Sequence, residues 1–268
     1  MAVYTLVSAS GAPGVTTSAL GLALAWPRDV VLVDADRSAS QALLAGHFSG
    51  VVTGGRGLAA VAQAYRDGLN IVDDLPSNFV TFPGEPDTQK WLIPGFARPG
   101  SAQLFEPVWP ELAAALDHLD RLGVDAIVDM GRWGAGLPPD LLAVTRALAF
   151  VTRTSLRSLA ALRLYLPDAT AAIAGHPGCS AGLLVVGAGD PYAPREIGDQ
   201  FGLPVWGHLP WQPGDATSLI EGTPPRRGVA GRPLSRAFDA TTTTLRGVAQ
   251  AWDNQVRRTS ETGVLQYA

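Results

Sequence analysis

The chain has 268 residues, 47% of them apolar and 16% charged, with a formal net charge of −4. That balance excludes a disordered protein and a small disulfide-stapled scaffold, because a chain this long and this apolar can close its own core. It also argues against a surface coated for nucleic acid by bulk charge. No apolar run reaches the roughly 18 residues of a membrane span, no basic-then-apolar leader opens the chain, and Cys179 has no second cysteine to pair with. A cytoplasmic protein with one core is the expectation.

In chain order, Ala2–Ser8 reads as a strand and Thr16–Trp26 as an Ala/Leu-rich helix stopped by Pro27. Val30–Asp34 is a continuous apolar run ending in acid, the pattern of a strand buried on both faces. Leu58–Arg66 reads as a helix, Asn70–Val72 and Trp91–Ile93 as short strands, and Pro110–Leu122 as an amphipathic helix. Ala126–Asp129 repeats the apolar run ending in acid. Ala147–Thr152 and Gly182–Val186 read as further strands around a helix at Ser155–Leu166. Val205–Leu209 reads as the last strand, followed by helices near Ala216–Glu221 and Leu234–Arg257. This alternation predicts an α/β fold, a mostly parallel twisted sheet with helices on both faces. Residues 75–110 are dense in Pro and Gly and read as an irregular segment.

Ligands of parallel sheets sit at the carboxyl ends of strands. The first such end runs Ser8-Ala9-Ser10-Gly11-Ala12-Pro13-Gly14-Val15-Thr16-Thr17 straight into a helix. Small residues there let backbone N–H groups approach an anion, and the helix start adds positive dipole. A working phosphate loop reads G-x-x-x-x-G-K-S/T. Gly14 and Thr16 match it, whereas Ala9 stands at the first glycine and Val15 at the lysine.

The chain resembles the ParA/MinD family of deviant phosphate-loop ATPases, whose loop reads G-K-G-G-x-G-K-S/T-S/T. On that resemblance, Ser10 replaces the signature lysine and Val15 the catalytic one, while Gly11, Gly14, Thr16 and Thr17 are kept. Val31–Asp36 is similar to the family's strand ending D-x-D, and Asp125–Asp129 to the strand whose last Asp is the Walker B residue. Phe201–Trp211 is similar to the G-L-P-V-x-G-x-I/L-P signature near which the adenine sits. The resemblance implies a single P-loop unit over residues 1–268 and a loop of Gly11, Gly14, Val15, Thr16 and Thr17 around nucleotide phosphates. It further implies Pro210 and Trp211 beside the base, Thr16, Asp34 and Asp129 around magnesium, and Asp36 orienting the attacking water in an active member. The base-contacting Asn/Arg pair of the family is matched by Gly187-Ala188.

The replacements fall where charge does the chemistry, since phosphoryl transfer rests on positioning and on cations at the β- and γ-phosphates. Lys90 is the only lysine and lies outside any loop leading to the site, though Arg37, Arg132 and Arg153 all follow strand ends. The residues therefore commit to no cofactor, and Mg-ATP is implied by the resemblance alone. The expectation is a degenerate site in a non-hydrolysing positioning or scaffolding component of a larger pilus, secretion or partitioning assembly. It would work through protein partners, with a homodimer independent of nucleotide and with recruitment to a membrane or polar complex. The alternative is an atypical but active Mg-ATPase in plasmid or chromosome partitioning. Arg226, Arg227, Arg232 and Arg236 offer a local patch for nucleic acid, which four arginines more often present to solvent. The scattered histidines do not make a zinc site, and Cys179 reads as a buried small thiol.

Overall fold

The computed structural model describes residues 2–9, 13–84, 88–98, 100–134, 136–223 and 233–264, with side chains as far as residue 255. The elements run β1 (Val3–Ser8), α1 (Val15–Ala25), β2 (Val30–Asp34), α2 (Ala42–Ala45), α3 (Leu58–Arg66), α4 (Ile71–Asp74), β3 (Val80–Thr81) and β4 (Lys90–Ile93). They continue with α5 (Trp109–His118), β5 (Asp125–Arg132), α6 (Pro139–Val144), β6 (Thr145–Arg153), α7 (Leu156–Ala174) and β7 (Ser180–Val186). The last are α8 (Pro194–Phe201), β8 (Val205–Leu209), α9 (Pro213–Glu221) and α10 (Pro233–Val264).

One eight-stranded sheet runs in the order β3-β4-β2-β5-β1-β6-β7-β8. Every pairing is parallel except β3 with β4. Alternation along β1 divides the core. Val3 and Val7 face Leu58, Leu112, Leu141 and Leu162, so α3, α5, α6 and α7 cover one side. Tyr4 and Leu6 face Leu20, Leu22, Leu43 and Phe238, so α1, α2 and α10 cover the other. The strands are buried on both faces, which is why they read as unbroken apolar runs.

Helix α1 lies close under α10. A β-carbon at Gly21 would overlap the Phe238 ring, and one at Gly207 of β8 would overlap Thr241, so glycine at both positions lets the last helix settle on the sheet. At the far end of α1, the Lys90 ammonium donates to the carbonyls of Ala23 at 2.9 Å and Trp26 at 2.7 Å. Asp125 ties in the same end, accepting from the Ala2 N–H and from the Trp26 indole at 2.9 Å each.

The structure corrects one predicted strand. Asn70–Val72 is the start of α4, because the Asn70 side chain accepts the Val72 N–H at 3.0 Å and caps a helix. Residues 75–110 hold the β3–β4 pair and short 3-10 turns, packed by the ring series Phe96, Phe105 and Trp109. The helix predicted to end at Leu166 runs through Pro167 to Ala174, and α10 runs past Arg257 to Val264. Among the described residues, no helix is long and apolar enough to cross a membrane.

Candidate functional site

Strands β1, β2, β5 and β6 end on the same edge of the sheet, beside the start of α1. Gly14 is the N-cap, at φ 102°, a left-handed conformation natural only to glycine. The N-cap makes no side-chain cap, and the first N–H groups of a helix favour an anion. Thr16 and Thr17 are half-buried, and Pro13 is buried and brings no N–H. Val15 does not face outward. It is 5% exposed and packs in the core beneath α1. Gly11 and Ser10 lie outside the described residues.

The acidic side of the site is closely packed. Asp34 and Asp129 are direct neighbours in the β2–β5 register. Asp129 is fully buried, and its Oδ1 accepts the Gly131 N–H at 2.9 Å. Its Oδ2 has no aligned hydrogen-bond partner among the described residues, although the Thr16 hydroxyl is near enough to favour the charged form. Asp36 accepts the Ser38 N–H at 2.8 Å. Glycines back these carboxylates. A β-carbon at Gly95 would come within 2.8 Å of the Asp34 Cγ, and one at Gly131, at φ 63°, would overlap the Asp36 carboxylate.

Burial and mutual repulsion make these acids reluctant to ionise. Burial first, then Asp129 and Asp36, push Asp34 up to about 7. Burial pushes Asp129 up to about 6, against the pull of the nearby Thr16 hydroxyl and of the Gly131 hydrogen bond. Asp36 is also raised by burial, with the Ser38 hydrogen bonds and the Arg132 charge pulling it down. Repulsion of this kind is relieved by protonation or by a nearby cation. Magnesium fits the donor set, because Asp34, Asp129 and the Thr16 hydroxyl are hard oxygen donors and Asp129 has an orphaned oxygen. Among the described residues, no group of three or more His, Cys, Asp or Glu side chains closes on one point.

Beyond Gly14 opens a cleft of about 340 Å³ lined by Pro13, Gly14, Thr17, Arg153, Pro210 and Trp211 among others. Trp211 is 47% exposed, and the Arg153 guanidinium carbon lies 4.5 Å from its ring centroid. The position matched to the family's base-contacting pair is closed. A β-carbon at Gly187 would lie 2.6 Å from the Thr154 hydroxyl, which is fixed by donating to the Asp190 carbonyl at 2.9 Å.

The structure thus gathers Gly14, Thr16, Thr17, Asp34, Asp36 and Asp129 at one edge, with Pro210 and Trp211 across the cleft, and turns Val15 inward. Sequence reasoning named Arg153 only as one of several arginines after strands, and no motif links it to Trp211. The glycine supports at Gly95 and Gly131 went unread as well. Cys179 is buried, and burial pushes its thiol up to about 11, an unreactive group. Lys90 caps the opposite end of α1 and takes no part here.

No protein-family model and no curated protein sequence matches the chain. Solved structures do. A ParA family ATPase from Chlorobium tepidum TLS superposes with a TM-score of 0.68 at 18% identity, covering 90% of this chain and 98% of that one. The septum site-determining protein MinD from Pyrococcus horikoshii OT3, complexed with Mg-ADP, gives 0.68 at 17% identity over 94% and 98%. The MinC:MinD cell division protein complex of Aquifex aeolicus gives 0.63 at 15% identity over 92% and 96%. The fold is ParA/MinD-like, the α/β architecture of P-loop NTPases.

Proposed function

We propose that this chain, with its ParA/MinD-like fold, is a degenerate member that positions or scaffolds a larger assembly without turning over ATP. The observation that carries the reading is Val15, which packs into the core where the resembled loop carries its catalytic lysine. Without that cation, the β/γ-phosphate charge that builds in a phosphoryl-transfer transition state goes uncompensated by the loop, a loss of about 100- to 1000-fold per missing donor. Val15 cannot be swapped for a nearby lysine, because Lys90 is engaged behind α1. Residues 1–268 would act as one cytoplasmic P-loop unit recruited to its place by protein partners of a pilus, secretion or partitioning machinery. A MinD structure solved together with MinC is a structural precedent for such a partner.

A second reading, an atypical Mg-ATPase in partitioning, draws on the intact carboxylates. Thr16, Asp34 and Asp129 would hold magnesium, and Asp36 would orient the water. Nucleic-acid binding would draw on Arg236, which is exposed on α10; Arg226, Arg227 and Arg232 lie outside the described residues. Phosphate release from ATP with and without magnesium separates the two readings. Background release supports the scaffold. Release near ordinary family rates that Asp36→Ala abolishes supports the ATPase.

A further inference from the structure

Three arginines follow strand ends beside the loop, and their surroundings separate them. Arg37 is engaged, with Nη1 donating to the Gly136 carbonyl at 3.1 Å and Nη2 lying 3.4 Å from the Glu106 carboxylate. Arg132 is exposed and lends its charge to Asp36. Arg153 is different. It is half-buried on the wall of the cleft, its Nε is buried with no hydrogen-bond partner, and among the described residues no carboxylate forms an ion pair with it. Its guanidinium rests on the Trp211 indole instead. The acid on the same cleft wall, Glu221, is exposed and does not reach it.

An aromatic face attracts a guanidinium but leaves its N–H donors unpaired, so the cation stays available to a planar or tetrahedral anion. Across the same cleft lie Gly14 and Thr17 at the uncapped start of α1, whose N–H groups favour an anion too. A cleft of about 340 Å³ is within the usual range for small ligands.

We propose that Arg153 is the cation of this cleft and that the cleft binds a phosphoryl group between Arg153 and the start of α1, with Trp211 as the guanidinium's resting place when no anion is bound. This rests on the reading of the loop as a phosphate cradle and supplies the charge that Val15 does not. The phosphoryl group belongs either to a nucleotide or to free di- or pyrophosphate, and the same cation serves both. Arg153 binds here and performs no bond-breaking step, so binding persists in a protein that does not hydrolyse.

The test titrates pyrophosphate, ADP and adenosine by calorimetry into the full chain, Arg153→Gln, Arg153→Lys and Trp211→Phe. Pyrophosphate and ADP should bind the parent, and Arg153→Gln should weaken both by about tenfold or more, as loss of a charge-assisted contact predicts. Arg153→Lys should regain part of the loss, and adenosine should be insensitive to either change. Tryptophan emission should shift as pyrophosphate draws the guanidinium off the indole, and Trp211→Phe should abolish that shift. ADP binding much tighter than pyrophosphate identifies a nucleotide ligand, and equal binding identifies the bare phosphates. Equal affinity of the parent and Arg153→Gln for pyrophosphate, or no binding of either anion to the parent, overturns the assignment. Rapid ATP turnover in the parent would overturn the scaffold reading and leave the Arg153 assignment standing.

Discussion

The Lys90 ammonium lies 2.7 Å from the Trp26 carbonyl, and so the one lysine of the chain closes the back of the helix whose front faces the cleft. It is 4% exposed, burial pushes its pKa down to about 8, and the nearby Asp29 charge partly opposes that shift. Helix carbonyls at a C-terminus are unsatisfied acceptors that favour a cation, which accounts for a buried lysine with no ion pair at contact distance among the described residues.

Lys90→Met is therefore expected to destabilise the fold by about 2 kcal/mol, because two buried carbonyls lose a charged donor while the side-chain volume is kept. Urea unfolding of parent and variant checks this. The same variant should bind pyrophosphate as the parent does, and a loss of anion affinity without loss of stability would mean that Lys90 reaches the cleft after all.

The buried carboxylates give a pH dependence of definite sign. Asp34 at about 7 and Asp129 at about 6 are raised above the ordinary value of 3.8, so between those values the folded chain binds more protons than the unfolded one. Their contribution to stability is complete below pH 4 and is lost as pH rises through 6 to 7. Asp34→Asn should stabilise the protein at pH 8 by about 1–2 kcal/mol and flatten the slope, since the amide oxygen can still accept the Asp36 N–H. Denaturant midpoints at pH 5 and pH 8 decide it, and added magnesium at pH 8 should restore part of the parent's loss.

Restoring the loop lysine should not restore an enzyme. Val15 is core, so Val15→Lys either buries a charge or pulls the start of α1 outward, at a cost of about 1–3 kcal/mol. Pro13 still brings no N–H, and the closed position at Gly187 still lacks a base contact. Groups that act as a unit are non-additive, so repairing one of them recovers little rate. Thermal melting and phosphate release are the paired measurements. Strong turnover from this one substitution would show an otherwise working site.

Self-association should not depend on nucleotide. In the resembled family the signature lysine reaches across a dimer to the partner's phosphate, and Ser10 is too short and carries no charge to do so. Sedimentation with and without ATP and magnesium should give the same mass. A monomer that pairs only on addition of ATP would contradict this.

The central strands were legible because burial on both faces leaves an apolar run, and because Asp34 and Asp129 end two of those runs. Asn70–Val72 misled because Ile and Val favour strands, which outweighed the helix-start signal of Asn70 followed by Asp73 and Asp74. Short α6 and α8 carry too few turns for a periodicity to emerge. At the site, the acids and threonines could be read from their order along the chain. Arg153 and Trp211 could not, because they meet only when β6 and the segment after β8 are folded beside each other. The inward turn of Val15 was hidden too, since a helix-start residue faces core or solvent according to what packs behind it.

Gly21 and Phe238 touch although α1 and α10 are separated in the chain by every strand of the sheet but β1. During synthesis, the apolar outer face of α1 therefore waits for the last helix before it is covered, and Phe238 and Leu234 also wall the cleft. A nascent chain halted before residue 233 would hold the loop and the carboxylates yet have an open-sided cleft and a bare strip along its first helix. Completion of the cleft thus waits on α10, and not on the loop at its mouth.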